Sequence, residues 1–113
     1  MKITIIDSGV DCRNTHVKKL QEEAKNWRRL TSRSFVDSVP SGQDLVGHGT
    51  HIAVTVMRVA RWAEVYVATV VDEEGRILAP CVAKVWDHLF LANTLFIVVE
   101  CLLLTKCNCL LPV

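Results

Sequence analysis

Two short apolar runs in the first half of the chain predict strands of a parallel sheet. Residues Ile3–Ile6 form an unbroken β-prone run that stops at Asp7-Ser8-Gly9, as expected for a strand buried on both faces. Residues Glu64–Val71 form a second such run, and it stops at the turn-forming sequence Asp72-Glu73-Glu74-Gly75, which is typical of a strand end. A polar residue at the carboxyl end of a parallel strand lies where α/β sheets place their ligands. Asp7 is therefore a candidate site residue.

Three other segments have the composition or spacing of helices. Gly47 allows the chain to turn sharply into a helix that begins at His48. Pro80 suits the first turn of a helix that begins near it. The segments are Lys18–Arg29, His48–Arg58 and a shorter one from Pro80 to about His88.

The segment between the first two predicted helices is rich in serine, proline and glycine. Residues Thr31–Gly42 are therefore expected to form a loop, with at most one brief strand at Phe35–Val36. The resulting order of strand, helix, helix, strand and helix predicts an α/β fold with parallel strands and helices layered on the sheet.

The composition changes near residue 89, which divides the chain into residues 1–88 and an apolar, cysteine-containing tail of residues 89–113. No glycine follows Gly75, and the tail approaches the roughly 20 apolar residues of a membrane span only by including Asn93, Glu100 and Lys106. Three interpretations remain open: a buried strand or helix, a membrane span through residues 89–111, and a segment unrelated to the preceding domain.

Composition limits the classes of function. The chain has 113 residues, enough for one small domain, and a formal charge of +1 with no basic stripe. We therefore predict no nucleic-acid partner. The short apolar run after Met1 and Lys2 lacks the length of a signal peptide, so none is predicted and the compartment stays open.

The cysteine and histidine spacings do not predict a metal site. The five cysteines are an odd set without an evident disulfide framework. Cys107 and Cys109, with Cys101 upstream, lack a second ligand pair. His48 and His51 are spaced as a metal-binding pair, but no motif places an acidic third ligand beside them. We predict neither a metal nor a cofactor.

The most specific motif is His48-Gly49-Thr50-His51-Ile52-Ala53, preceded by Asp44 and Gly47. Together with Asp7-Ser8-Gly9, and with the valine-rich run that follows, it resembles the subtilisin-like serine peptidases (peptidase family S8). The resemblance covers residues 2–88 and fades after about Trp86. It implies an incomplete subtilisin-like fold of three layers around a parallel sheet, representing the opening part of the catalytic domain.

The resemblance implies that Asp7 is the orienting acid and His48 the general base of an Asp-His-Ser triad. For Asp44 two interpretations stay open: it lines the substrate side of the site, or it is an acid of the loop. The implied activity is that of a serine endopeptidase, a hydrolase whose substrate is a peptide or protein. The chemistry agrees, because an imidazole accepts the serine proton near neutral pH and a buried carboxylate fixes its tautomer.

The nucleophile of that triad is missing from this chain. Every serine precedes His48, whereas the family's serine follows the histidine in a Gly-Thr-Ser context. The asparagine of the oxyanion hole is also missing, since Asn93 lies too early and lacks its motif. In subtilisin, loss of the serine costs roughly a millionfold in turnover, so we expect the chain alone to be inactive. The five serines are Ser8, Ser32, Ser34, Ser38 and Ser41.

Three further expectations concern the alternative function, the solubility of the chain and the packing of Val54. The alternative function is a non-catalytic interaction module, or a membrane-tethered remnant, of the same fold. A partial parallel sheet also leaves strand edges and apolar faces uncovered, so we expect the chain alone to be poorly soluble. Finally, Val54 stands where the family usually has glycine, and its bulk is expected to push the helix away from the sheet.

Overall fold

A computed structural model of the chain describes residues 2–25, 27–92 and 96–99. Strands and helices alternate along most of this part of the chain, with β2 and α2 joined by a long loop. The elements are β1 (Lys2–Asp7), α1 (Thr15–Glu22), β2 (Leu30–Ser34), α2 (His48–Val59), β3 (Glu64–Thr69), α3 (Ala79–Ala92) and β4 (Phe96–Val99).

The strands form one sheet in the order β2-β3-β1-β4, and every neighbouring pair is parallel. In the central pair, Ile5 lies beside Val67 and Asp7 beside Thr69. The carboxyl ends of β1 and β3 therefore meet at one edge, which we call the carboxyl edge, and their first residues define the amino edge. The predicted α/β fold with a parallel sheet is confirmed.

The two faces of the sheet are covered by different helices. Ile5 and Val67 belong to a buried cluster that contains Val17 and Leu20 of α1 together with Ala53, Val54 and Met57 of α2. Ile6 and Ala68, the next residues along the same strands, belong to a second cluster that contains Cys81 and Val85 of α3. Because successive side chains of a strand point to opposite faces, the fold has three layers, as predicted.

One of the three crossover connections must differ in hand from the other two. The β1–β2 connection crosses β3 towards one side of the sheet, and its helix α1 lies on one face. The β3–β4 connection crosses β1 towards the other side, and its helix α3 lies on the opposite face. These two share a hand. The β2–β3 connection runs in the same direction as β3–β4, but α2 lies on the face of α1. Since about 98% of such crossovers are right-handed, we infer that the β2–α2–β3 unit is the left-handed one.

Helix α1 begins earlier and ends earlier than the predicted helix Lys18–Arg29. The side chain of Asn14 caps its start by accepting hydrogen bonds from the backbone of His16 and Val17, at 2.9 and 3.2 Å. At the other end, the Gln21 side chain accepts from the backbone N–H groups of Arg29 and Leu30, at 3.0 and 2.8 Å. These bonds hold an extended segment where the sequence composition favours helix, so the predicted end at Arg29 is wrong.

Strand β2 replaces part of the loop predicted for Thr31–Gly42. It ends at Ser34, so the brief strand expected at Phe35–Val36 lies earlier in the chain. Its burial alternates between half-buried and exposed, because among the described strands it lies at the side of the sheet and pairs with β3 alone. Such a strand lacks the continuous apolar run by which β1 and β3 were recognised.

The second and third helices agree better with prediction. Helix α2 begins at His48, as predicted, directly after Gly47, whose φ is 93°, and α3 includes Pro80 in its first turn. The predicted displacement by Val54 is wrong, since this side chain is buried against the sheet and α2 contacts β1 and β3.

The compositional boundary at residue 88 falls within an element of the fold. Helix α3 continues to Ala92, and β4, at Phe96–Val99, pairs with β1. Of the described helices, none has the length and apolar character that crossing a bilayer requires. The interpretations that concern residues 100–113, including the cysteine cluster, lie outside the described residues.

Candidate active site

Asp7 is the last residue of β1, and its side chain is fully buried, with 0% exposure. Its Oδ1 accepts a hydrogen bond from the backbone N–H of Ser8 at 2.6 Å. Burial raises the pKa of the carboxyl group, although the bonds from Ser8 and His48 act in the opposite direction. The strand thus holds an acid that is rigidly mounted and removed from water.

His48 is the first residue of α2, and its Nδ1 lies 3.0 Å from Oδ2 and 3.2 Å from Oδ1 of Asp7. A carboxylate accepts hydrogen bonds, so the ionised form of this pair requires the proton on Nδ1. In that tautomer the lone pair lies on Nε2. The imidazole is 22% exposed, so it lies between the buried acid and solvent. The structure therefore brings the two predicted residues together.

The carboxylate of Asp44 accepts five hydrogen bonds within the protein. Oδ1 accepts from the Ser8 hydroxyl at 2.7 Å and from the backbone of Val46 and Gly47 at 3.2 and 2.8 Å. Oδ2 accepts from the backbone and hydroxyl of Thr50 at 2.8 and 2.5 Å. Burial alone would raise the pKa of Asp44, but the bonds from Thr50, Ser8 and Gly47 outweigh it and lower the pKa.

These contacts make Asp44 an anchor for the start of α2. It fixes the loop residues before His48 and the first turn after it, and so determines where the imidazole sits. Thr50 extends the anchor, since its hydroxyl also accepts from the backbone of Asp11 at 2.9 Å. The substrate-side role of Asp44 stays a prediction, while the structure gives its carboxylate this positioning role.

Ser8 was not recognised from the sequence as a functional residue. Its side chain is buried, and its hydroxyl donates to Asp44 and accepts from the backbone N–H of Gly49 at 3.0 Å. The hydroxyl therefore ties the end of β1 to the first turn of α2. Its position next to Asp7 was the available indication, but the partner 36 residues away has no local pattern in the sequence.

Two glycines allow β1 and α2 to approach each other. A Cβ at Gly49 would lie 2.1 Å from the backbone oxygen of Gly9, and a Cβ at Gly9 would lie 2.4 Å from the backbone oxygen of Gln43. Gly9 also has a φ of 108°. The glycine in the His48 motif is therefore required for backbone packing against the aspartate motif.

The other serines make hydrogen bonds outside the Asp7–His48 pair. Together with Ser8, all five serines thus have hydrogen-bond partners outside that pair. The partners are the backbone of Gly42 for Ser32, the backbone of Val36 for Ser34, Glu73 for Ser38, and the backbone of Ser34 for Ser41.

The remaining histidines lie away from the pair. His51 is exposed on α2, and within residues 2–25, 27–92 and 96–99 no three His, Cys, Asp or Glu side chains are grouped as metal ligands. His16 is exposed beside Arg58. His88 is half-buried and stacks on Tyr66 with ring centroids 5.5 Å apart.

Comparison of the chain with protein-family models and with curated proteins gives no match. Its function is therefore inferred from the geometry of the site and from the motifs that form it.

Proposed function

We propose that residues 2–88 are the opening part of a subtilisin-like serine endopeptidase domain and supply its acid and its base. The observation that supports this most strongly is the contact of 3.0 Å between Nδ1 of His48 and the fully buried carboxylate of Asp7. In this proposal the complete domain cleaves peptide bonds, and this chain alone is inactive.

The mounting of the pair suits general base catalysis. A buried carboxylate on Nδ1 orients the imidazole and stabilises the imidazolium that forms when Nε2 takes a proton. Asp7 is held by β1 and His48 by the anchored start of α2, so little reorganisation is needed during proton transfer. The left-handed β2–α2–β3 crossover also supports the proposal, because it places the start of α2 over the end of β1.

The nucleophile belongs to a segment that this chain does not contain. In the complete domain a serine hydroxyl approaches Nε2 of His48, loses its proton to it and attacks the carbonyl carbon of the peptide. The imidazolium then donates that proton to the leaving amine. Asp7 stays ionised through both steps and stabilises the positive charge on the ring.

The tautomer of His48 tests the first part of the proposal. We expect NMR of the ¹⁵N-histidine-labelled chain, kept soluble as a fusion, to show the proton on Nδ1 of His48. Asp7→Asn is expected to change this tautomer, because the carboxylate is then replaced by an amide that also has donor hydrogens. His51, exposed on the same helix, serves as the control and should not respond. A neutral His48 with its proton on Nε2 would contradict the proposal.

Reconstitution tests the second part. A fluorophosphonate probe is expected not to label this chain. When the chain is mixed with a polypeptide that carries the serine-bearing remainder of a subtilisin-like catalytic domain, we expect labelling of that serine. The labelling should be lost with His48→Ala and retained with His51→Ala. Labelling that is equal for His48→Ala and the unsubstituted chain would argue against His48 as the base.

A non-catalytic interaction module is the second candidate. The observation in its favour is that no serine follows Ser41 in this chain. The same mixing experiment separates the two candidates. A stable complex with the serine-bearing polypeptide that never reacts with the probe would favour the module.

A further inference from the structure

The amino edge of the sheet exposes large apolar side chains from two parts of the chain. Val59 is the last residue of α2 and is 80% exposed, and Trp62, shortly after it, is 85% exposed. Trp27, which follows α1, is 39% exposed. Trp27 and Trp62 line the same groove, of about 210 Å³. Two indoles that are distant in sequence are therefore neighbours on one surface, where water is an unfavourable solvent for them.

Cationic side chains adjoin these indoles. A second groove, of about 440 Å³, is lined by Lys19, Arg58 and Arg61, and Glu23 is the acid that lines it. The two grooves share Arg61 and Glu23, so they form one continuous patch. We call this patch, with Trp27, Val59 and Trp62, the amino-edge patch. It is basic although the whole chain carries a formal charge of only +1.

One further arginine of the patch has an internal role. The guanidinium of Arg29 is buried and donates to the backbone oxygens of Met57 and Ala60 at the end of α2, and to that of Ala63 just before β3. It therefore satisfies carbonyl groups that the helix leaves without partners. The charges available to a ligand are those of the lysine and the two arginines of the neighbouring groove.

The combination of protruding indoles and nearby cations points to a particular partner. Tryptophan is favoured at the boundary between lipid headgroups and acyl chains, and each lysine or arginine near an anionic bilayer contributes about 1 kcal/mol. Nucleic acid would instead require a groove that follows a phosphate backbone. A narrow acidic peptide would not account for the exposed Val59, which is the last residue of α2.

We propose that the amino-edge patch binds the surface of anionic phospholipid bilayers, with Trp27 and Trp62 in the headgroup region and Lys19, Arg58 and Arg61 against the lipid phosphates. The patch lies about 18 Å from His48, the length of α2. Binding there would leave the carboxyl edge open, and the proposal does not depend on the proposed peptidase function.

Vesicle flotation of the full chain tests this proposal, because aggregated protein does not float. We expect the chain to float with vesicles of phosphatidylserine and phosphatidylcholine at low salt, and to be released by high salt. The double substitution Arg58→Glu with Arg61→Glu should lower the bound-to-free ratio at least ~10-fold. Trp62→Ala should lower it severalfold and reduce the blue shift of tryptophan fluorescence on binding, leaving the part that comes from Trp27.

Two matched variants on α3 control for charge and indole content. Lys84→Glu and Trp86→Ala change exposed side chains on the opposite face of the sheet, and we expect them to bind as the unsubstituted chain does. Circular dichroism should show that all variants fold. Equal flotation with phosphatidylcholine alone, or no effect of the Arg58 and Arg61 substitutions, would overturn the proposal. Preferential binding of polyglutamate or an oligonucleotide at this patch would also overturn it.

Discussion

The carboxyl edge and the amino edge of the sheet are built from opposite ends of β1, α2 and β3, but they differ in almost every physical respect. At the carboxyl edge, the polar groups of Asp7, Ser8 and Asp44 are partnered inside the protein, and backbone atoms of β1 and α2 are in close contact. At the amino edge, Trp62 and Val59 extend into solvent. The same elements thus carry a fixed polar network at one end and an open amphipathic surface at the other.

The difference between the two edges shows which of them needs precisely positioned groups. Proton transfer requires groups that are held within a few tenths of an ångström, and the network around the start of α2 provides such restraint. A surface that adheres to a partner needs only apolar area and charge, and its side chains can remain mobile. The amino edge also has fixed contacts, among them those of the buried guanidinium of Arg29 at the end of α2.

The largest expected effect is that of Gly49→Ala at the carboxyl edge. The added Cβ would lie 2.1 Å from the backbone oxygen of Gly9, and neither backbone can move without breaking the network. We expect a loss of about 3 kcal/mol or more in the free energy of unfolding, measured by pulse proteolysis at low protein concentration.

Gly47→Ala is the matched control for that substitution. Gly47 has a φ of 93°, but a Cβ added there would have no neighbouring atom within 4 Å. The substitution should therefore lose only the ~1–2 kcal/mol of left-handed backbone strain. Equal losses at the two positions would mean that the close packing of β1 and α2 is not the reason for the glycine in the His48 motif.

Asp44→Asn should have the next largest effect. Asparagine cannot accept all five hydrogen bonds, and the loss of charge-assisted bonds should cost about 2 kcal/mol at pH 7. Because the folded-state pKa of Asp44 is lowered, its contribution is present above the unfolded pKa of about 4 and is lost as the pH falls through the folded pKa. Unfolding measured against pH should therefore show that Asp44→Asn approaches the unsubstituted chain in acid. A constant difference would contradict the anchor role.

Asp7→Asn should have the opposite dependence on pH. Burial raises the folded-state pKa of Asp7, so its contribution to stability is full below the unfolded pKa of about 4 and declines as the pH rises through the folded pKa. Compared with the unsubstituted chain, Asp7→Asn should therefore become relatively more stable as the pH rises from acid to neutral. If stability instead fell relative to the unsubstituted chain over that interval, the carboxylate would be stabilising when ionised.

Trp62→Ala at the amino edge should have the smallest effect on folding. The side chain is 85% exposed, and surface substitutions usually change stability by less than about 0.5 kcal/mol. The same pulse proteolysis measures it. A loss as large as that of Asp44→Asn would show that the amino edge is also a packed region, and the contrast between the two edges would disappear.

Elements buried on both faces could be predicted from the sequence, whereas those fixed by distant partners could not. The apolar runs of β1 and β3 and the start of α2 at His48 were recognised because burial and the Gly47 turn leave a local pattern. Strand β2 was missed because an edge strand keeps polar residues. The end of α1 depends on the Gln21 side chain, which binds backbone groups eight and nine residues further along.

The residues of the candidate site also fall into those that could be predicted from the sequence and those that could not. The pairing of Asp7 with His48 was predicted, since both residues belong to motifs placed at element ends. The roles of Ser8 and Asp44 in joining β1 to α2 were not predicted, because they depend on contacts between segments that the sequence keeps apart. The hand of the β2–α2–β3 crossover has no signature in the sequence.

The strand order also has a consequence for synthesis of the chain on the ribosome. Strands β1 and β2 do not pair with each other, since β3 lies between them. Among the described strands, no pairing is therefore available until β3, at Glu64–Thr69, has left the exit tunnel. Until then β1 is an unpaired apolar segment, so nascent-chain chaperones have their longest period of access before the third strand appears.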